Sequence, residues 1–142
     1  MKNIGVIGLG DMGSGIALNL IKNGFQVFGS DLLPARQEAF KEMGGSLETS
    51  ISDIGKKCDA VFVMVMNGSQ AKSIIFDEDG LAKNMEEGST VILSATIKPS
   101  EAEEIGQLIK DTGIKFIDTP VSGGFPARSP AHLRLWPPHQ KM

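Results

Sequence analysis

Ile4-Gly-Val-Ile-Gly-Leu-Gly-Asp-Met-Gly13 decides the fold of this chain. Ile4 to Ile7 is a short apolar run that reads as a buried parallel strand, and the sequence then turns at once into Gly8, Gly10 and Gly13. Each glycine meets a different steric need. Gly8 permits a tight turn out of the strand, Gly10 lets backbone N–H groups approach a pyrophosphate, and Gly13 lets the next helix pack on the strand. That helix is expected to carry Met12, Ile16, Leu20 and Ile21 on one face. Its N-terminus points at the turn, where orphan N–H groups and about +0.5 charge favour an anion. Strand, G-x-G-x-x-G and helix in this order are the dinucleotide-binding fingerprint, with Leu9, Asp11 and Met12 filling the turn between the glycines.

Glycines also serve ordinary turns, so the fingerprint needs support from the chain around it. A second apolar run, Gln26-Val-Phe-Gly-Ser-Asp31, ends in an acid at about the spacing of the residue that binds the adenosine ribose hydroxyls. Asp31 can equally serve as an N-terminal acid for a helix that Pro34 opens. An acid here accepts ribose hydroxyls and repels a 2′-phosphate, which favours NAD over NADP, while Arg36 weighs the other way.

The chain has 142 residues, 41% of them hydrophobic, enough for one domain with a real core. A net charge of -3 without a basic stripe in the body argues against nucleic acid or an anionic membrane as partner. Cys58, the single cysteine, rules out an intramolecular disulfide and a Cys-rich zinc site, and reads as core. No metal site is expected. Met1-Lys-Asn3 leads straight into the first strand and no apolar run is long enough to span a bilayer, so a cytoplasmic protein is expected.

Further along, Pro34 to Met43 reads as a helix with Ala39 and Phe40 apolar, stopped by Gly44-Gly45. Leu47 marks a short strand, and Ser50 to Lys57 a short helix. Ala60-Val-Phe-Val-Met-Val65 is too apolar to have a wet face and reads as a central parallel strand. Its end at Met66-Asn67-Gly68 should then sit beside the glycine turn, on the edge where open α/β sheets bind ligands. Helices are expected from Ser69 to Phe76 and Leu81 to Met85, and a strand from Thr90 to Leu93 that leads into Ser94-Ala-Thr96. Pro99 to Thr112 reads as a helix with Ala102, Ile105, Leu108 and Ile109 facing the core, and Lys115 to Asp118 as a sixth strand. The whole pattern predicts an α/β Rossmann-type fold, doubly wound on a mostly parallel sheet. Beyond Gly124 the chain turns basic and proline-rich, carries Trp136, His132 and His139, and loses all period.

Gly8-Leu-Gly-Asp-Met-Gly13 with Ala17, Asn19-Leu20 and Gly24, followed by Asp118-Thr-Pro-Val-Ser-Gly-Gly124, resembles the β-hydroxyacid dehydrogenases, which include 3-hydroxyisobutyrate dehydrogenase and tartronate semialdehyde reductase. Val65-Met-Asn67 with Gln70, and Phe76-Asp-Glu-Asp-Gly80, bring it nearest the L-threonate branch. The resemblance covers residues 2 to 124, the cofactor domain. It implies that Gly8 to Gly13 hold the pyrophosphate and Asp31 the ribose. Val65, Met66 and Asn67 would floor the adenosine side, and Thr96 would meet the nicotinamide ribose. Ser122, Gly123 and Gly124, otherwise a plain turn, would contact the substrate carboxylate.

The resemblance also implies a catalytic lysine with an asparagine partner on a later helix, in a glycine-rich motif this sequence does not contain. The family's all-helical second domain is missing too. No catalytic residue is therefore assigned, and Lys72 and Lys98 read as solvated helix-start lysines. The expected domains are 1–124, the cofactor domain, and 125–142, an irregular tail. Codons can be chosen for Ala131 to Pro138 that, shifted one base, encode Gly-Thr-Leu-Thr-Val-Met-Ala-Ser, a run like that with which relatives resume, so the tail reads as frameshifted. The expected function is the cofactor domain of an NAD-dependent hydroxyacid dehydrogenase, inactive by itself and taking a small hydroxyacid only once a helical domain is supplied. Family members oligomerise, an association this chain need not share. A non-catalytic dinucleotide-binding module or sensor is the alternative.

Overall fold

The computed structural model describes residues 3–48, 50–95 and 97–119. Strands and helices alternate along them: β1 (Asn3–Ile7), α1 (Asp11–Lys22), β2 (Gln26–Ser30), α2 (Pro34–Glu42), β3 (Ser46–Leu47), α3 (Ile51–Lys57) and β4 (Ala60–Val65). Then come α4 (Gly68–Phe76), α5 (Leu81–Asn84), β5 (Thr90–Ala95), α6 (Pro99–Ile109), a 3-10 turn at Lys110–Thr112, and β6 (Lys115–Asp118). The strands form one sheet of order β3-β2-β1-β4-β5-β6. Every pairing within it is parallel. This is the doubly wound order, with its reversal between β1 and β4.

Successive side chains of a strand point to opposite faces, and here both faces are covered. Val61, Val63, Val91 and Leu93 join Ile54, Ala71, Ile75, Leu81, Ile105 and Ile109 in the core under α3 to α6. Ile4, Val6, Phe62 and Ile92 join Ile16, Ala17, Val27 and Phe40 in the core under α1 and α2. Full burial of each such side chain is worth about 1.5–3 kcal/mol, which explains why β4 reads as an unbroken apolar run. Among the described residues no helix is long and apolar enough to cross a membrane.

Two side chains depart from the expected pattern. Leu108 is 52% exposed, while the buried residues of α6 are Ile105 and Ile109. Met12 is only half-buried at the start of α1, where Gly13, Ile16 and Ala17 make the contact with the sheet. The helix expected to run to Thr112 gives way to the 3-10 turn after Ile109 and ends at Gly113, whose φ is +82°. Thr96, Ser122, Gly123, Gly124 and the tail from 125 lie outside the described residues.

Gly13 sits so close to β1 that a Cβ on it would collide with the Gly8 carbonyl oxygen, whereas a Cβ on Gly15, one half-turn further along α1, would meet nothing within 4 Å. Gly13→Ala is therefore expected to destabilise the domain by roughly 1–3 kcal/mol, and Gly15→Ala to stabilise it by up to about 1 kcal/mol. Urea unfolding of the two variants compares them directly; equal midpoints would contradict the packing described.

Candidate functional site

The C-terminal ends of β1 and β4 lie side by side at the reversal of strand order, with Ile7 opposite Val63. Here the chain leaves β1 through Gly8, whose φ of +97° is a left-handed conformation that other residues adopt at a cost of about 1–2 kcal/mol. A Cβ at Gly8 would also strike the Met64 carbonyl oxygen of β4. The first glycine is thus required by the protein itself.

Gly10 differs. The nearest atoms a Cβ built on it would meet are those of the Arg36 guanidinium at 3.7 Å, an ordinary contact. It is the N-cap of α1 and offers no side chain to the helix. The first-turn N–H groups of a helix have no partner within it, and here no capping side chain supplies one. A bare helix N-terminus beside an open glycine fits a diphosphate, whose oxygens would take those N–H groups and whose charge suits the helix dipole.

Asp31 follows β2 and is held inward. Its Oδ2 accepts the Leu9 N–H at 2.7 Å and its Oδ1 the Leu33 N–H at 2.9 Å. Arg36 Nη1 lies 3.5 Å from Oδ2, and Gln37 donates to the Asp31 carbonyl at 2.7 Å. Asp31 ties the glycine turn to β2 through Leu9 and holds the approach to α2 through Leu33. Burial pushes its carboxyl up, but the Leu33 and Leu9 N–H groups and Arg36 outweigh that and leave it below its ordinary value of 3.8. Ser14 completes the turn by donating its hydroxyl to the Leu9 carbonyl at 2.7 Å.

At the end of β4, Asn67 Oδ1 accepts the Gln70 N–H at 2.9 Å while Gln70 Oε1 accepts the Met66 N–H at 3.0 Å. This reciprocal cap fixes the turn that carries Val65, Met66 and Asn67. Asn67, expected in the cofactor floor, thus spends its side-chain oxygen on α4. Met66 is 80% exposed, and Leu32 after β2 is 94% exposed, so both present apolar surface at the same sheet edge.

The structure brings Gly8 to Gly13, Asp31 and the Val65–Asn67 turn to one edge of the sheet. It adds Leu32, for which the apolar pair Leu32-Leu33 straight after the acid was the available signal, and it sets Arg36, weighed from the sequence only as a charge bearing on NAD against NADP, beside Asp31 and over Gly10. Lys72 is not at a helix start: it sits inside α4 and pairs with Glu104 of α6 at 2.7 Å. Cys58 is buried, and burial pushes its thiol up to about 12, too high for a nucleophile at neutral pH.

Sheet order, glycine turn and acid together define a dinucleotide-binding domain of the doubly wound type. The chain belongs to the family of the NAD binding domain of 6-phosphogluconate dehydrogenase, whose family model matches residues 3–137. L-threonate dehydrogenase of Cupriavidus necator is 42% identical over 123 residues, covering 87% of this chain and 41% of the relative. Mitochondrial 3-hydroxyisobutyrate dehydrogenase of Rattus norvegicus is 35% identical over 130 residues, 92% of this chain and 39% of the relative. The crystal structure of 3-hydroxyisobutyrate dehydrogenase from Salmonella typhimurium matches with a TM-score of 0.81 at 32% identity, over 87% of this chain and 43% of that one. The chain thus spans about two-fifths of the length of these relatives.

Asp31→Asn leaves one backbone N–H facing an amide NH2 and is expected to cost about 1–3 kcal/mol near neutral pH. Because the folded carboxyl titrates below its ordinary 3.8, its contribution is complete above that pH and is lost as pH falls through the lower folded value. The stability gap between the native chain and Asp31→Asn should therefore narrow below about pH 4. Chemical unfolding across an acid pH series measures this; a gap that widens in acid would contradict the hydrogen bonding assigned to Asp31.

Proposed function

We propose that this chain is the cofactor-binding part of an NAD-dependent dehydrogenase acting on a small hydroxyacid of the L-threonate or 3-hydroxyisobutyrate kind. The observation that carries the reading is the open glycine at the uncapped N-terminus of α1, next to an acid fixed by the same turn. The matches to L-threonate and 3-hydroxyisobutyrate dehydrogenases support the substrate class. Nicotinamide supplies the hydride donor or acceptor when bound, and the protein binds and orients it.

In this proposal Gly8, Leu9, Gly10, Asp11, Met12 and Gly13 hold the diphosphate, with the backbone N–H groups of the α1 first turn as donors. Asp31 offers its remaining lone pairs to the adenosine ribose hydroxyls. Val65, Met66 and Asn67 lie under the adenosine side. Thr96, near the nicotinamide ribose, and Ser122, Gly123 and Gly124, toward the substrate carboxylate, are assigned on resemblance alone. The cofactor domain is assigned to residues 1–124, and 125–142 to a tail for part of which codons can be chosen that fit a shifted reading frame.

A general acid is not supplied by the described part of the cleft. Among the described residues there is no histidine, Cys58 is buried and Lys72 is engaged with Glu104. The 142-residue chain is therefore expected to bind NAD without oxidising hydroxyacids. Calorimetric titration with NAD and NADP, followed by a search for NADH formation with L-threonate and 3-hydroxyisobutyrate, tests both parts. NAD should bind more tightly than NADP and no steady NADH should form; tighter NADP binding would overturn the cofactor preference, and sustained turnover the inactivity.

A further inference from the structure

The ends of β4 and β5 leave the sheet level with each other, Val65 opposite Ala95, and the helices that follow them meet at one carboxylate. Glu101, in the first turn of α6, accepts the Lys98 backbone N–H on Oε1 at 3.1 Å. That bond caps its own helix and fixes the connection from β5. The same carboxylate reaches across to α4. A Cβ built on Gly68, the first residue of that helix, would lie 2.7 Å from Glu101 Cδ and Oε2 and 3.0 Å from Oε1. Gly68 is buried and has no positive φ, so the carboxylate, and not the backbone conformation, accounts for the missing side chain. Capping α6 requires only the Lys98 bond, which makes the fit against Gly68 a second, independent contact. Further along, Lys72 and Glu104 join the same two helices at 2.7 Å.

In the dinucleotide-binding reading above, on which this inference rests, the diphosphate sits at α1 and one ribose at Asp31 after β2. A dinucleotide spans the crevice at the reversal of strand order, so its other nucleoside extends over the ends of β4 and β5. We infer that Glu101 is a positioning residue for that nucleoside: it clamps the β5–α6 connection against the β4–α4 turn, so that the floor under the nicotinamide half has its shape before the ligand arrives. A floor already in place removes the cost of ordering it on binding. Glu101 acts through the backbone at Lys98 and at Gly68 and is not required to touch the cofactor.

The test is calorimetric titration of the full 142-residue chain, Glu101→Ala, Glu101→Gln, Gly68→Ala and the double variant Gly68→Ala with Glu101→Ala. Each is titrated with NAD and with ADP, which has the adenosine and diphosphate without the nicotinamide nucleoside. Glu101→Ala should weaken NAD about threefold to tenfold, as expected of one lost hydrogen bond, and change ADP by less than about twofold. Glu101→Gln, which keeps an acceptor for the Lys98 N–H, should hold NAD within about twofold of the parent. Gly68→Ala, whose methyl displaces the carboxylate, should also weaken NAD selectively. The double variant should lose no more than the larger single loss, because both changes break one contact. Retained ADP binding shows that each variant is folded. Equal weakening of NAD and ADP, NAD unchanged in Glu101→Ala, a loss in Glu101→Gln as large as in Glu101→Ala, or additive losses in the double variant would overturn the inference and leave dinucleotide binding at the glycine turn standing. If neither ligand binds the unsubstituted chain, the underlying reading and this inference fall together.

Discussion

The Gly13 Cα lies against the Gly8 carbonyl oxygen, with no room between them for a methyl group. This contact is the constraint from which the rest of the site follows. It forces α1 to start directly above the end of β1, so the positive end of the helix is presented at the sheet edge. Gly8, squeezed in turn against the Met64 carbonyl, fixes the turn relative to β4. Two strands and a helix are thus locked by contacts that tolerate no side chain. Gly10, between them, has a movable side chain, Arg36, as the nearest neighbour a Cβ there would meet.

The second device is electrostatic. A buried carboxylate is costly unless its oxygens are satisfied, and Asp31 is satisfied by N–H groups from the glycine turn and from the approach to α2. It therefore acts as a rivet between β2 and the turn before it acts on any ligand. Ser14 and Gln37 tie down the two carbonyls nearest to it, those of Leu9 and Asp31. The outcome is a rim with an exposed cation, Arg36, and exposed apolar side chains at Leu32 and Met66. A rim of that composition suits a flat, anionic, partly apolar ligand.

Much of this was legible in the sequence, for physical reasons that differ by element. β4 declared itself because a strand buried on both faces is apolar at every position. The glycine turn did so because Gly8 and Gly13 lie against backbone oxygens that leave no room for a side chain. Leu108 was misplaced because apolar side chains at helical spacing suit a core face, and only the tilt of α6 on the sheet decides which of them are covered. Arg36 could be seen only as a nearby charge: that its guanidinium lies over Gly10 depends on where α2 begins, which the Asp31–Leu33 hydrogen bond determines. Asn67 and Gln70 suggested a branch of the family, but their mutual capping of the β4–α4 turn depends on the backbone geometry of a tight strand-to-helix connection.

The central claim is that the glycine turn and the N-terminus of α1 hold a dinucleotide diphosphate. Amide-resolved nuclear magnetic resonance of the 15N-labelled chain during titration with NAD tests it most directly. The account predicts that the Leu9, Gly10, Asp11, Met12, Gly13 and Asp31 amides shift together along one binding curve, while those of α3 and the 3-10 turn at Lys110–Thr112 stay in place. Amides of the glycine turn that remain unmoved at saturation, or shifts gathered instead along α6, would contradict it.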